Sequence, residues 1–371
     1  MGLEVALAAP TGRAAKRMSE LTGKEAVTIH RLLEVEWDES DRQKFKRNKR
    51  NPITAQALIA DELSMVDSRL FSSLLEALPI GCRLVMVGDS NQLPPVGPGN
   101  VLHDLIDSKT LPVVELTEVF RQAMESMIIS NAHAIVSGEM PELYATDRDF
   151  FFIARSSPSE AAETISKLCC ERLPKAYDYS PFDDIQVLCP SKKGETGSAN
   201  INKILQSILN PHDSRKKEHS FGSRVFRVGD KLMQTKNNYN IEWESPDKKG
   251  VGIFNGDIGI LEEIDNESET FKVRFDDRTA EIPFEFHADL DFAYAVTVHK
   301  SQGNEFRAVI IPVTGINPML QYRNLLYTAV TRARELIVLV GDTGTVRKMV
   351  DNNRKQKRYS ALGYFLMSGD K

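Results

Sequence analysis

The sequence predicts an α/β protein with two parallel-sheet halves and a small antiparallel insert in the second half. Three observations lead to this. Short apolar runs such as Ala57–Ala60, Arg83–Val87, Ile185–Cys189 and Leu336–Val340 alternate with stretches of helical period. An apolar run of that length bounded by polar residues suits a strand covered on both faces. The alternation occurs twice, on either side of a linker-like stretch at Gly138–Arg148. Between about Val225 and Leu290 it gives way to short runs punctuated by Asn-Gly, Asp-Asn and Asp-Asp turns, which read as a small antiparallel barrel.

The elements follow in order. Val5–Ala9 reads as a strand, Pro10 and Gly12 as its turn, and Ala14, Ala15, Met18 and Leu21 as one face of a helix. Thr28 is placed to cap a second helix carrying His30. From Arg42 to Arg50, six cations crowd together with no acid among them. That run reads either as a solvated loop or as a hairpin pressed against phosphates. Asp67–Leu78 reads as a helix, Glu115–Gln122 as the end of a strand and the start of a helix, and Met124–Val136 as an amphipathic helix. In the second half, Phe150–Ala154, Phe292–Val298 and Ala308–Val313 read as strands. Ser198–Leu209 and Leu320–Thr331 read as helices, and the residues from Asn352 onward as a basic, frayed tail.

The bulk numbers agree. A chain of 371 residues with 41% hydrophobic and 27% charged content suits two or three folded domains. The net charge of −5 argues against a generally basic coat and leaves room for a local basic groove. Cys82, Cys169, Cys170 and Cys189 form no C-x-x-C pair, so buried thiols in a reduced cytoplasmic compartment are expected, without a zinc site. No apolar run reaches membrane-spanning length.

The densest chemistry lies at Asp61 and Glu62, where the Ala57–Ala60 run stops at two adjacent carboxylates. Open α/β sheets place ligands at the carboxyl ends of their strands. There an Asp suits a water-mediated Mg²⁺ contact, and a neighbouring Glu suits orienting or deprotonating a water. A second strand, Arg83–Val87, ends at Gly88-Asp89 and opens a Pro/Gly-rich loop carrying Gln92.

Taken together, the motifs resemble those of superfamily 1B DNA helicases of the RecD-like branch. "APTGRAA" resembles motif Ia, "TIHRLL" motif Ib, "ADELSM" motif II and "GDSNQLPPV" motif III. "VFRQ" resembles motif IV, "TVHKSQGNE" motif V and "LYTAVTRAR" motif VI. The resemblance covers essentially the whole chain. It implies two RecA-like domains of the P-loop NTPase type, residues 1–145 and residues 146–225 with 291–350. An SH3-like insert is implied at 226–290, a hairpin parting the duplex at 34–55, and a basic tail at 351–371.

The resemblance also assigns roles. ATP and Mg²⁺ are the implied cofactors, with Asp61 in the metal shell and Glu62 activating water. Gln92 would contact the γ-phosphate, Arg121 and Arg332 would act as arginine fingers, and Gly303 and Glu305 would meet the nucleotide. Asp61, Gln92 and Arg121 would border one cleft from the first half, and Glu305 and Arg332 from the second. Pro10, Thr11, Thr28, His30, Thr297 and His299 would line a single-strand track. At a strand end His299 also reads as a packing histidine, and within "TVHKSQG" a DNA contact is the preferred reading. Single-stranded DNA and a duplex fork are the implied partners, with 5′-to-3′ translocation serving recombination or repair.

One motif departs from the family. No G-x-x-x-x-G-K-[ST] phosphate cradle occurs: "TGKE" at Thr22–Glu25 lacks the spacing, and "KKGETGS" at Lys193–Ser198 lacks the Lys-Ser/Thr. The expectation is therefore a carboxyl-terminal part of a longer helicase, inactive alone, whose missing cradle segment removes a central strand and exposes a sheet edge. The alternative is a non-catalytic single-stranded-DNA-binding or regulatory module.

Overall fold

The computed structural model describes residues 2–37, 43–116, 125–145, 149–246, 248–353, 358 and 360–368. Their packing forms two units, one within Met1–Val119 and Arg354–Lys371, the other within Phe120–Asn353. Parallel sheets with flanking helices in both units, and an antiparallel barrel in the second, match the expected fold class.

The first unit contains β1 (Val5–Ala9), α1 (Gly12–Thr22), β2 (Ala26–Thr28), α2 (Ile29–Leu32), β3 (Val35–Trp37) and β4 (Gln43–Phe45). It continues through β5 (Ala57–Ala60), α3 (Ser68–Glu76), β6 (Arg83–Met86) and α4 (Val101–Ser108). β2, β1, β5 and β6 form a parallel sheet in that order, and β3 and β4 pair as an antiparallel hairpin. On one face of β5, Leu58 and Ala60 pack with Ile29, Leu63, Leu74 and Leu105. β6 is an edge strand, with Val85 and Val87 nearly half exposed. The strand expected to end near Glu115 is not formed in the described residues up to 116, where Val113, Val114 and Leu116 are exposed. No further strand of this sheet is present among the described residues to pair with it.

The second unit starts with α5 (Met127–Ser137), β7 (Phe150–Ala154) and α6 (Pro158–Lys167), which runs through a π-turn at Leu168–Arg172 into α7 (Leu173–Tyr177). β8 (Ile185–Cys189) and α8 (Ser198–Leu209) follow. Beyond the barrel, β18 (Ala295–Thr297), β19 (Phe306–Val313), α9 (Arg323–Val330), β20 (Ala333–Gly341) and α10 (Thr343–Asp351) complete it. The parallel sheet runs β18-β8-β19-β20-β7. α5 packs against α9, and Arg323 donates to Val136 O at 3.2 Å, so this helix joins the second unit ahead of the boundary expected near residue 145.

The barrel comprises β9 (Glu218–Phe221), β10 (Arg224–Arg227), β11 (Lys231–Gln234), β12 (Asn238–Glu244) and β13 (Lys249–Ile253). It ends with β14 (Ile258–Asp265), β15 (Thr270–Phe275), β16 (Arg278–Pro283) and β17 (Leu290–Phe292). β9 and β10 form a hairpin, and the rest form one antiparallel sheet around Phe226, Phe271, Phe275 and Ile282. Asn255-Gly256 is a turn, as expected, but not a hairpin turn: β13 pairs with β12, while β14 pairs with β11 and β15. Gly256, at φ +95°, instead turns the chain from one side of the barrel to the other.

The tail expected to fray returns to the first unit. α11 (Leu362–Ser368) packs on α4 through Leu362 and Leu366, and Ser360 Oγ bonds Asp104. Arg358 donates to the carbonyls of Gly97 and Gly99 in the loop after β6. That loop also closes on α3, where Ser68 N donates to Pro98 O at 2.9 Å. A Cβ at Gly99, whose φ is +85°, would lie 1.8 Å from Ser68 Oγ. Left-handed backbone alone costs a substituted residue about 1–2 kcal/mol. Gly99→Ala is therefore expected to lower the Tm of the first unit by about 4 °C or more in a thermal melt, and an unchanged Tm would contradict the pinned loop.

Candidate functional site

In the first unit, parallel pairing brings the ends of β1, β2, β5 and β6 to one edge of the sheet, and the functional side chains follow. Asp61 ends β5, and its Oδ1 accepts the Glu62 amide at 2.8 Å. Glu62 adopts left-handed backbone at φ 52°, an uncommon conformation outside glycine that is concentrated at functional sites. Two backbone bonds fix the acid turn against β6: Val87 N to Ala60 O at 2.8 Å and Leu63 N to Val87 O at 2.9 Å. A Cβ at Gly88 would lie 3.0 Å from Leu63 N, so the small residue permits that approach. Asp89 then organises the loop, accepting from Asn91 N at 2.9 Å and from Gln92 Nε2 at 3.4 Å. Asp61, Glu62 and Gln92 thus share one edge of one unit. Arg121 lies outside the described residues.

Pro10, Thr11, Thr28 and His30 lie at the same sheet edge. Thr11 accepts from Ala14 N at 3.3 Å as the cap of α1, and Thr28 accepts from Arg31 N at 3.1 Å as the expected cap of α2. His30 sits 5.9 Å from the Phe45 ring of the hairpin. The hairpin itself is less cationic than its sequence suggests, because Lys46 pairs with Glu36 and Arg47 with Glu34, both at 2.7 Å. Arg42 lies outside the described residues.

The second unit places its residues differently. Thr297 ends β18, and His299 follows on a short 3₁₀ turn, Val298–Ser301. Gly303, at φ +75°, and Glu305 instead precede β19, and Arg332 precedes β20. Unlike Asp61 and Asp89, which follow the carboxyl ends of their strands, these residues lie at the amino ends of theirs. The 303–305 turn and Arg332 do meet. Arg332 is only 4% exposed and donates to Asn304 O at 3.3 Å and Thr328 O at 3.2 Å. Asn304 in turn reaches Gly256 O in the barrel at 3.5 Å. Arg334, two residues further on, is exposed.

Sequence reasoning missed Arg358, which holds the carbonyls of Gly97 and Gly99 across some 260 positions of chain. A contact that distant leaves no local signal. It also missed Asp230, buried and bonded to Tyr294 OH at 2.9 Å. Among the described residues no cluster of three metal-ligating side chains occurs. A single carboxylate such as Asp61 fits Mg²⁺ only when phosphates and waters complete the shell.

Burial holds the His30 pKa below the ordinary imidazole value of 6.5, against the opposing pull of the Asp67 charge. The folded chain then binds fewer protons at this site than the unfolded chain. Its contribution to stability is full above the unfolded value and is lost as pH falls through the folded one. Between about pH 7 and about pH 5 the wild-type Tm is expected to fall more steeply than that of His30→Gln, and equal slopes would contradict a buried neutral imidazole.

Three matches to known families cover this arrangement. Residues 1–98 match an AAA domain, 201–275 the SH3 domain of ATP-dependent RecD-like DNA helicases, and 292–340 a UvrD-like helicase C-terminal domain. The ATP-dependent RecD2 DNA helicase of Deinococcus radiodurans is 35% identical over 98% of this chain and 46% of its own length. The RecBCD enzyme subunit RecD of Mycolicibacterium smegmatis is 28% identical over 94% of this chain and 63% of its own length. The chain thus spans less than two thirds of each relative. Among solved structures, a Pif1 helicase from Bacteroides in complex with ADP-AlF3 and ssDNA shares the fold, with a TM-score of 0.53 at 23% identity, covering 94% of this chain and 85% of that one. A Pif1 helicase from Candida albicans gives a TM-score of 0.53 at 19% identity, over 95% and 86% of the two chains. With the acid turn, the Gln92 loop, the barrel and the 297–305 segment in the family's order, the chain is similar along nearly its whole length to RecD-like DNA helicases.

Proposed function

We propose that this chain is the motor portion of a RecD-like ATP-dependent DNA helicase, and that its own activity is to bind single-stranded DNA. The supporting observation is the shared carboxyl edge of the first sheet, where Asp61, Glu62 and Gln92 adjoin Pro10, Thr11, Thr28 and His30. Phosphoryl transfer needs positioning and charge stabilisation more than covalent chemistry from the protein. Asp61 suits holding a Mg²⁺ ion that arrives with a nucleoside triphosphate, and Glu62 and Gln92 suit orienting water. Arg121 and Arg332 are the proposed cations, with Gly303 and Glu305 on the nucleotide. Arg332 must first exchange its carbonyl partners Asn304 and Thr328 for phosphate.

The sequence contains no Gly-rich phosphate cradle, so the residues present fit only part of a nucleotide site. Hydrolysis, and with it 5′-to-3′ translocation and fork opening, is proposed for a protein that also supplies the cradle. The β3–β4 hairpin is the proposed wedge at a duplex fork. The same missing cradle favours one second reading, a single-stranded-DNA-binding module without turnover.

Both readings place Thr297 and His299 on the nucleic acid. Fluorescence anisotropy with labelled oligothymidylate tests this. Weak binding is expected, with log K falling against log salt at a slope of about −2 for roughly three phosphate contacts. His299→Ala should weaken it about fivefold. A salt-independent affinity, or one indifferent to His299, would overturn the assignment.

A further inference from the structure

A run of side-chain amides along α8 meets a buried carboxylate where the barrel joins the parallel sheet. Asn202, Gln206 and Asn210 are four residues apart, so they line one face of α8 and its end. Gln206 Nε2 donates to Asp230 Oδ2, and Asn210 Nδ2 to Asp230 Oδ1, both at 2.8 Å. The same carboxylate accepts from Tyr294 OH at 2.9 Å and Arg227 N at 2.8 Å. Asp230 and Tyr294 are both buried, and a buried carboxylate is tolerated only with such donors. Burial is the largest influence on Asp230 and pushes its pKa up, while the four donors pull the other way.

These bonds tie α8 both to the first hairpin of the barrel and to the segment by which the chain leaves it. At the hairpin, Gln206 also donates to Val225 O at 2.9 Å and Asn210 to Val228 O at 3.3 Å. On return, Asn202 bonds Phe292 O at 3.0 Å and both polar groups of the Ala295 backbone, at 2.8 and 2.7 Å. Gln186 adds bonds to Ala293 O at 3.0 Å and Tyr294 O at 3.2 Å. The held residues run directly into Ala295–Thr297 and the turn that carries His299. The barrel reaches the far end of that segment as well, through Gly256 O and Asn304.

We propose that Asp230, acting through Tyr294 and the amides of α8, is a positioning residue that sets the Thr297–Gln302 segment relative to the barrel. It touches no substrate. Its carboxylate ties the first hairpin of the barrel and the return segment to one helix, so displacement of the barrel is transmitted to the turn proposed to meet DNA. The functional half of this inference rests on the single-strand reading above; the mechanical half does not.

Two readouts separate those halves: hydrogen exchange by peptide mass spectrometry, and oligothymidylate affinity measured on the whole chain. Asp230→Asn keeps the shape but turns an amide toward donors that need an acceptor. Faster exchange is expected at residues 290–302, with 306–313 and 336–340 unchanged, and affinity should fall about fivefold. In a cycle with His299→Ala the two losses should be non-additive, which a general loss of stability does not produce. Tyr294→Phe removes one donor and should give a smaller effect in the same direction, which keeps the test available if Asp230→Asn does not fold. Exchange that rises only within the barrel, or uniformly, with additive affinity losses, would overturn the proposal. If the wild-type chain does not bind oligothymidylate, the single-strand reading fails and the exchange pattern alone decides the positioning role.

Discussion

Two backbone hydrogen bonds at the end of one strand pair determine what the first unit presents. Val87 N to Ala60 O and Leu63 N to Val87 O join the ends of β5 and β6, bringing the Asp61–Glu62 turn against Gly88-Asp89. Parallel strands allow this because their carboxyl ends lie on the same side, and loops free of ladder bonds can carry polar groups there. The left-handed Glu62 and the close approach at Gly88 follow from that junction. The Gln92 loop that leaves this junction is fastened at its far end to α3 and to Arg358 of the tail.

The second unit solves a different problem, because its barrel interrupts the parallel sheet between α8 and β18. Two chain crossings must be fixed there, and Phe292, Tyr294 and Ala295 on the return pack into apolar clusters. Polar groups add direction to that packing, and nearly every donor in the α8–Asp230 junction has a defined acceptor. Satisfied buried networks specify one geometry, whereas a half-satisfied one costs more than an apolar core. The 297–305 segment therefore starts from a fixed point and ends beside Arg332, whose buried guanidinium caps two backbone carbonyls.

Much of this was legible in the residues, for physical reasons that also explain the failures. Ile185–Cys189 and Ser198–Leu209 have the bounds their patterns predict, because a fully buried strand and an amphipathic helix impose strong periods. The acid turn and the cap at Thr28 were legible because their chemistry is local, while Thr11, read only as a single-strand contact, also caps α1. β12 was missed although Tyr239, Ile241 and Trp243 alternate inward, since Asn and Glu between them weaken the signal. A strand was read as ending near Glu115, but the described residues up to 116 form none, since a strand needs a neighbour to bond. The Asn255-Gly256 turn was legible and its partner strands were not, because pairing is decided at long range. Arg332 was found by its motif, while its burial and its place before β20 came only with the fold.

The central proposal is that Asp61, Glu62 and Gln92 and the residues assigned to single-stranded DNA serve a helicase site, in a sequence without the cradle that holds phosphates. Steady-state ATP hydrolysis by the whole chain tests it most directly, with and without single-stranded DNA, beside Glu62→Gln. The predicted result is no DNA-stimulated rate above the Glu62→Gln background, because an oriented water and a metal ligand do little for a phosphate that nothing positions. A DNA-stimulated rate that disappears in Glu62→Gln would contradict it, and would mean that another segment of this chain cradles the nucleotide.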